Sequence, residues 1–262
     1  MVDRLKPDLT TKNIRNAGDS VRVLIRELQG WDTVIWEDDF LGDSLDAKYP
    51  SATTGVDGSF DKIASGLGGT ATIDVGDGGT SGDNEYGGIG LGGLEWKGDN
   101  NCFAIARIKL SAIGTVKVEF GFTDSFGDAG AVNDLAAGSA TASDAAVWVV
   151  DTDDTAVWQA FAVNGGGTPQ KKEETFYIDV SGTATAAPIA DTYQYMGVFL
   201  EGNHAMYSQW DASGNKIADD LVIDSAIEGG TAVGPWLFVQ NRAASQDRLI
   251  TIDYLMVGQR RS

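Results

Sequence analysis

Short stretches in which apolar and polar residues alternate recur along this chain, and a period of two predicts β-strands. The clearest is TVKVEFGF at 115–122, where every second residue is apolar. Val116, Val118, Phe120 and Phe122 are predicted to share one face of that strand. The alternation returns in LITIDYLMV at 249–257, which predicts a long closing strand.

Two apolar runs, AVWVV at 146–150 and TAVWQAFAV at 155–163, flank a turn at Asp151-Thr152-Asp153-Asp154, and this spacing predicts a β-hairpin. Other strands are predicted at FYIDV (176–180), YQYMGVFL (193–200), AMYSQW (205–210) and WLFVQN (236–241). The chain contains 34 glycines without collagen periodicity, many of them in turns between these runs. Repeated short strands without a convincing long helix predict an antiparallel β-sandwich.

We divide the chain into an N-terminal arm, residues 1–30, and a sandwich domain, residues 31–262. Within the arm, VRVLIREL at 21–28 fits a weak strand pattern and also a short helix capped by Asp19 or Ser20. Thirty such residues cannot form a core alone, so the arm must pack on its own domain or on another chain. We expect it to dock on a partner surface by burying apolar side chains, namely Leu5, Ile14, Val21, Val23 and Ile25.

The formal net charge of −19 argues against nucleic acid as a partner, because a phosphate backbone requires clustered Lys and Arg. Cys102, the only cysteine, lies in a predicted strand and is expected to be a buried, inert thiol. The opening MVDRLKPDLT lacks the apolar core of a signal peptide, and no apolar run reaches membrane-spanning length. We expect a protein that is made in the cytoplasm, is not exported by a signal peptide and has no membrane partner.

Carboxylates are the most suggestive candidate chemistry. WEDDFLGDSLDAKY at 36–49 alternates Glu37 and Asp39 on the predicted opening strand. We expect Asp38 and Asp39 to accept backbone hydrogen bonds at a sheet edge. Asp151, Asp153 and Asp154 are candidate Ca²⁺ ligands, although solvated turns are the default interpretation. No other cofactor is predicted, and His204, the sole histidine, excludes a multi-histidine zinc site.

Aromatic residues suggest a second kind of site, since tryptophans on a sheet face can stack on sugars. Trp148 and Trp158 lie in apolar strands and are expected in the core. Trp96 and Trp210 precede polar turns and are the better candidates for binding carbohydrate.

The opening Trp36-Glu37-Asp38-Asp39-Phe40-Leu41-Gly42-Asp43-Ser44-Leu45-Asp46 and the closing ITIDYLMV (250–257) together resemble the first and last strands of concanavalin A-like lectin/glucanase jelly rolls, the LamG type included. The resemblance implies a two-sheet jelly roll in which the strand at 249–257 pairs near residues 34–41. The phrases VEFGFTD (118–124) and AVWVVDTD (146–153) also resemble virion proteins of tailed bacteriophages.

These resemblances imply a non-enzymatic structural protein of a tailed-phage particle, most plausibly a capsid decoration or cement protein. Its expected partners are the major capsid protein or other virion subunits, copies of itself in a homo-oligomer such as a trimer, and a host surface glycan. A carbohydrate-binding module or a receptor-binding protein of the tail or neck is the alternative. A glycoside hydrolase is the third hypothesis. Laminarinase-type members of the fold that this chain resembles carry a strand with Glu, Asp and Glu at alternate positions, and this chain has no such strand, so we predict no catalytic residues.

Overall fold

The structure, a computed structural model, describes residues 21, 24, 33–41, 53–54, 58–62, 69–76, 84–90, 95–173, 187–217 and 219–260. The predicted strand at 176–180 lies outside these residues. Besides Val21 and Leu24, which have helical backbone, the described ranges contain one short 3₁₀ helix, Gly98–Asn100, and seventeen strands. In chain order the strands are β1 Thr33–Asp38, β2 Thr53–Thr54, β3 Gly58–Lys62, β4 Ala71–Val75, β5 Tyr86–Gly90, β6 Phe103–Leu110, β7 Val116–Thr123, β8 Val132–Asp134, β9 Ser139–Ala140, β10 Ala145–Asp151, β11 Thr155–Val163, β12 Gln170–Glu173, β13 Gln194–Glu201, β14 His204–Trp210, β15 Leu221–Ile223, β16 Gly234–Asn241 and β17 Arg248–Arg260.

The strands form two large antiparallel sheets. The eight-stranded sheet has the order β15-β14-β13-β6-β17-β4-β3, with β1 also paired to β17. The seven-stranded sheet has the order β12-β11-β10-β7-β16-β5-β2, and β8 and β9 form a separate small hairpin. The prediction of an all-β, two-sheet antiparallel sandwich is therefore confirmed.

The core lies between the sheets, where the alternating apolar side chains of both inner faces meet. In β7 the four predicted core residues, Val116 to Phe122 at every second position, are no more than 1% exposed. The predicted hairpin is also present, because β10 pairs with β11 in antiparallel register from Ala145 opposite Val163. The alternation of apolar and polar residues in these strands therefore correctly predicts which side chains face the core.

The predicted pairing of the opening and closing strands is confirmed. β1 runs antiparallel to the second half of β17, with Val34 opposite Gln259 and Trp36 opposite Val257. At the end of β1 the Asp38 carboxylate accepts a hydrogen bond from the Phe40 amide at 2.7 Å, and Asp39 accepts one from the Leu41 amide at 3.3 Å. These carboxylates therefore hold the turn after β1, as expected.

The outer face of the eight-stranded sheet carries a second apolar cluster, and two arm residues complete it. Val21 and Leu24 have helical backbone and are 0% and 3% exposed, and the Val21 amide donates to the Gly214 carbonyl at 2.9 Å. Of the two interpretations of this stretch, the helix fits these residues. The sheet side of the cluster consists of Phe103, Ile105, Phe199, Met206, Trp210 and Met256.

Two expectations change as a result. Val21 was predicted to bind a partner, but it is buried against its own domain. Trp210 was predicted to face a sugar, but it is 3% exposed beneath the arm, because its strand position points to this covered face. Leu5, Ile14, Val23 and Ile25 lie outside the described residues. No helix in the described part of the chain has the length and apolar character needed to cross a membrane.

Candidate functional site

The outer face of the seven-stranded sheet carries a row of polar side chains that runs across four strands. Strand register places Tyr86 of β5 opposite Gln240 of β16, Gln240 opposite Lys117 of β7, and Lys117 opposite Asp151 of β10. Neighbouring strands lie about 4.8 Å apart, so the row is about 14 Å long. It brings together residues from four separate segments of the chain.

Most of this outer face is covered by the connection between β7 and β10, residues 124–144, which we call the cover segment. It includes the β8–β9 hairpin and packs apolar side chains against β10 and β11. The packed side chains are Ala131, Val132, Leu135 and Ala142 from the cover segment, and Val147, Val149, Phe161 and Val163 from the sheet. The segment therefore converts an outer sheet face into a second buried layer.

A buried ion pair fastens the cover segment to the sheet. Lys117 and Glu119 of β7 are both 0% exposed, with Lys117 Nζ 3.0 Å from Glu119 Oε1. The Glu119 carboxylate accepts hydrogen bonds from the amides of Ala131 at 2.7 Å and Val132 at 3.0 Å. Lys117 Nζ donates to the carbonyls of Ala129, at 2.6 Å, and Val132. The charges are thus satisfied by each other and by backbone groups of the cover segment.

Gly130 allows this close approach. Its φ of +70° lies in the left-handed region, and a Cβ atom built there would lie 2.5 Å from Glu119 Oε1. A side chain at this position would push the cover segment away from the carboxylate that holds it. The stretch Asp128-Ala129-Gly130-Ala131-Val132 therefore needs glycine at position 130, where a larger residue would clash with Glu119.

A polar groove follows the edge of the cover segment, along the row of side chains described above. It has two lobes of about 360 Å³ and 220 Å³, and both lobes are lined by Asn133 and Arg242. The larger lobe is also lined by Asn84, Tyr86, Asp128, Ala129 and Gln240. The smaller is also lined by Asp134, Leu135, Ala136, Asp151, Asp153 and Asp154.

Arg242 lines both lobes, and three of its guanidinium nitrogens donate hydrogen bonds to other side chains. Its Nε and Nη2 both donate to the buried carboxylate of Asp151, the Nε bond being 2.9 Å long. Its Nη1 donates to Asn84 Oδ1 at 3.0 Å. Burial acts to lower the pKa of Arg242, but the hydrogen bonds and charge of Asp151, with Asp153, raise it overall. The guanidinium is therefore a fixed structural cation.

Tyr86 supplies the aromatic wall of the larger lobe. The ring is half-buried and stacks on Phe238 with centroids 6.2 Å apart, and Phe238 stacks on Trp236 at 5.6 Å. Among the hydrogen bonds of the described residues, none involves the Tyr86 hydroxyl or the carboxylate of exposed Asp128. On the same lobe, the side-chain amide of Gln240 donates a hydrogen bond to the backbone carbonyl of Asn84 at 3.1 Å. The lobe thus offers a fixed ring with its hydroxyl beside an exposed carboxylate.

The predicted Ca²⁺ ligands lie beside this groove but are already paired with basic side chains. Asp151 binds Arg242, Asp153 Oδ2 lies 3.7 Å from Arg242 Nε, and Asp154 Oδ2 lies 3.5 Å from Lys171 Nζ. Within the described ranges, no group of three or more His, Cys, Asp or Glu side chains is arranged to hold a metal ion. These pairings with arginine and lysine argue against the candidate Ca²⁺ site at the three aspartates.

The tryptophan candidates do not contribute to the groove. Trp210 is buried on the opposite sheet, and half-buried Trp96 packs against the core, with its amide donating to the Val233 carbonyl at 3.0 Å. Tyr86, Asp128, Asn133, Gln240 and Arg242 were not identified from the sequence as site residues. Tyr86 opens a glycine-rich strand without alternation, so no local pattern indicated its role.

No protein-family model and no curated protein sequence matches this chain. Solved structures match over most of its length. A protein of unknown function from Shewanella oneidensis shares 12% identity with a TM-score of 0.57, over 87% of this chain and 86% of that one. The endo-β-1,3(4)-glucanase SCLam, of glycoside hydrolase family 16, shares 11% identity with a TM-score of 0.51, over 88% and 92% of the two chains.

A phage protein matches to a similar degree. The CBM2 module of the evolved Dit of Lactobacillus casei BL23 phage J-1 shares 9% identity with a TM-score of 0.50, over 87% of this chain and 96% of that one. At such identities the comparisons show the fold alone. They show that this chain has a two-sheet jelly-roll fold like that of the family 16 glucanase.

Proposed function

We propose that this protein is a non-catalytic, carbohydrate-binding jelly roll that holds an oligosaccharide segment in the groove beside Tyr86. The observation that carries the proposal is the larger lobe, where a fixed aromatic ring lies next to the exposed Asp128 carboxylate and the amide side chains of Asn84, Asn133 and Gln240. A sugar presents apolar C–H faces and many hydroxyls, so it matches a ring bordered by hydrogen-bonding groups. A few polar groups placed around an apolar surface are the usual composition of a small-molecule site.

The two buried carboxylates of this face do not form a catalytic pair. A retaining glycosidase requires two carboxyl groups about 5–5.5 Å apart that reach the sugar, one of them acting as an acid. Here the central carboxylate, Glu119, is fully buried and accepts hydrogen bonds from Ala131, Val132 and Trp236. Asp151 is likewise buried and bound to Arg242. Neither side chain is accessible to a substrate in the groove.

The test compares two tyrosine variants on a glycan array. We expect Tyr86→Ala to weaken binding about tenfold or more, because the ring is the main contact surface of the larger lobe. Tyr193→Ala is the matched control, since Tyr193 is half-buried beside β13 on the other sheet and stacks under Arg107 at 4.1 Å. Equal losses in both variants, or no binding by the unaltered protein, would contradict the proposal. Release of reducing sugar from a β-glucan would contradict its non-catalytic part.

We further propose that this domain is carried on a tailed-phage particle as a decoration protein or as part of the tail or neck. The observations that support this are its match to nearly all of the phage Dit module and the two sequence phrases at 118–124 and 146–153. Capsid or other virion subunits, and further copies in a homo-oligomer, are the proposed partners. Immunogold labelling of purified particles with an antibody to this protein tests the proposal, and unlabelled particles would contradict it.

A further inference from the structure

The groove is strongly acidic. Its walls contain five aspartates and one arginine, giving a formal charge of 1 − 5 = −4. Asp128, Asp134 and Asp153 are exposed there, the Asp153 side chain to 65%. The formal net charge of the whole chain, −19, is negative as well. Any ligand in the groove therefore lies beside several solvated carboxylates.

The basic side chains near the groove already form hydrogen bonds or ion pairs with other parts of the protein. Arg242 donates through Nε and Nη2 to Asp151 and through Nη1 to Asn84, and its side chain is only 12% exposed. Lys117 is buried beneath the cover segment. Lys171 Nζ lies 3.5 Å from Asp154 and donates to the Leu135 carbonyl at 2.9 Å. Of these three cations only Lys171 is exposed, and its Nζ is already held by Asp154 and the Leu135 carbonyl, so each of them is paired within the protein rather than free to bind an anionic sugar.

From this arrangement we infer that the groove selects glycans by charge, an inference that rests on the proposed carbohydrate-binding function. Neutral sugars bind, an amino group on the sugar strengthens binding, and uronate, sulfate or phosphate groups exclude the glycan. Asp153 is a specificity-determining residue, because it is the exposed carboxylate of the smaller lobe that lies next to Arg242, the residue that lines both lobes. Like charges placed close together in an interface are strongly unfavourable, which produces selectivity by repulsion.

The first experiment uses a glycan array with three sets of equal chain length: neutral oligosaccharides, amino-sugar oligosaccharides and uronate oligosaccharides. At low salt we expect uronate binding to be at least about tenfold weaker than neutral binding. Because screening lengths fall to about 8 Å at physiological ionic strength, salt should weaken amino-sugar binding and leave neutral binding unchanged. Strong uronate binding that is lost in Tyr86→Ala would overturn the charge inference while supporting the groove itself. No binding to any set would contradict the proposed function, and the inference with it.

The second experiment changes the charge at one position in two steps. Asp153→Asn and Asp153→Lys should raise uronate affinity progressively and lower amino-sugar affinity in the same order. Asp219→Asn and Asp219→Lys are the matched controls, since Asp219 is exposed beside β15 at the edge of the other sheet. Similar changes in both series would show a general effect of net charge and overturn the role of Asp153. A progressive change confined to Asp153 supports it.

Discussion

The Asp151–Arg242 pair shows how one buried charge fixes a wall of the groove. Asp151 is 2% exposed, and its carboxylate oxygens accept from two nitrogen atoms of one guanidinium. Such two-pronged contacts have a defined geometry, so the arginine holds the β10–β11 turn relative to the end of β16. The groove is therefore shaped by a pair that is not itself available to bind a ligand.

Arg242→Met should destabilise the protein by about 3–5 kcal/mol, because it leaves the Asp151 charge buried without its partner. Urea unfolding followed by tryptophan fluorescence measures the change. The double variant Asp151→Asn/Arg242→Met should lose less, since neither charge then remains buried. A double variant as unstable as the single one, or a single variant of normal stability, would contradict this account.

Cys102 illustrates the opposite case, a titratable residue held neutral. Burial in the core raises the pKa of its thiol far above the ordinary value. The unfolded chain ionises the thiol near pH 8.5, whereas the folded chain does not. The contribution of this group to stability is thus complete below about pH 8.5 and declines as the pH rises above it.

We predict that the free energy of unfolding falls as the pH rises from about 8 to 10, and that Cys102→Ala reduces this slope. Denaturant titrations at a series of pH values give the two slopes. Iodoacetamide should label the native thiol only as fast as the protein unfolds, because the reactive species is the thiolate. Rapid labelling of the native protein, or identical slopes in the two proteins, would contradict the assignment.

At the scale of elements, the cover segment decides which part of the seven-stranded sheet meets solvent. It is held by the Lys117–Glu119 pair at one end and by apolar packing of Leu135 near the β8–β9 hairpin. Its edge carries Asp128 and Asn133, which line the groove. The position of the segment therefore sets the width of the groove.

Gly130→Ala should destabilise the protein by about 1–3 kcal/mol more than Gly138→Ala, because the new methyl group displaces a hydrogen-bonded carboxylate. The two glycines have similar φ values, +70° and +63°, but a Cβ atom at Gly138 meets nothing within 4 Å. The comparison therefore separates the clash from the backbone strain that both variants share. Thermal unfolding gives the difference, and equal losses would show that the contact with Glu119 is unimportant.

The strands and the site differ in how far sequence could predict them. β7 and the β10–β11 hairpin followed from alternation, since the inner face of a sandwich selects apolar residues at every second position. The burial of Lys117 and Glu119 was not predicted, because it depends on a distant segment folding back over the sheet. Tyr86 and Gln240 likewise become neighbours only through the pairing of β5 with β16.

For the whole molecule, the arm changes the surface that the domain presents. Val21 and Leu24 cover apolar side chains on the outer face of the eight-stranded sheet. Their packing on the same chain favours the alternative in which this part of the arm completes its own domain. Whether the rest of the arm contacts a partner stays a prediction.

Leu24→Ala should cost about 2–5 kcal/mol, because Leu24 is 3% exposed and its removal leaves a cavity over the sheet. Leu41→Ala is the matched control, since Leu41 is 63% exposed and should cost no more than about 0.5 kcal/mol. Urea denaturation of both variants measures the difference. Equal stabilities would show that the arm contributes nothing to the fold.

The pairing of β17 has a consequence for how the protein is made. β17 contacts β6 along its length, β4 through its first half and β1 through its second half. All three partners come earlier in the chain, so a ribosome has synthesised them long before Arg248–Arg260 emerges. Until then the strand edges that β17 covers are unpaired, and we expect this to make the nascent chain prone to aggregation. A premature stop before Arg248 would therefore remove the strand that joins the sheet, and degradation would be the expected fate of the product.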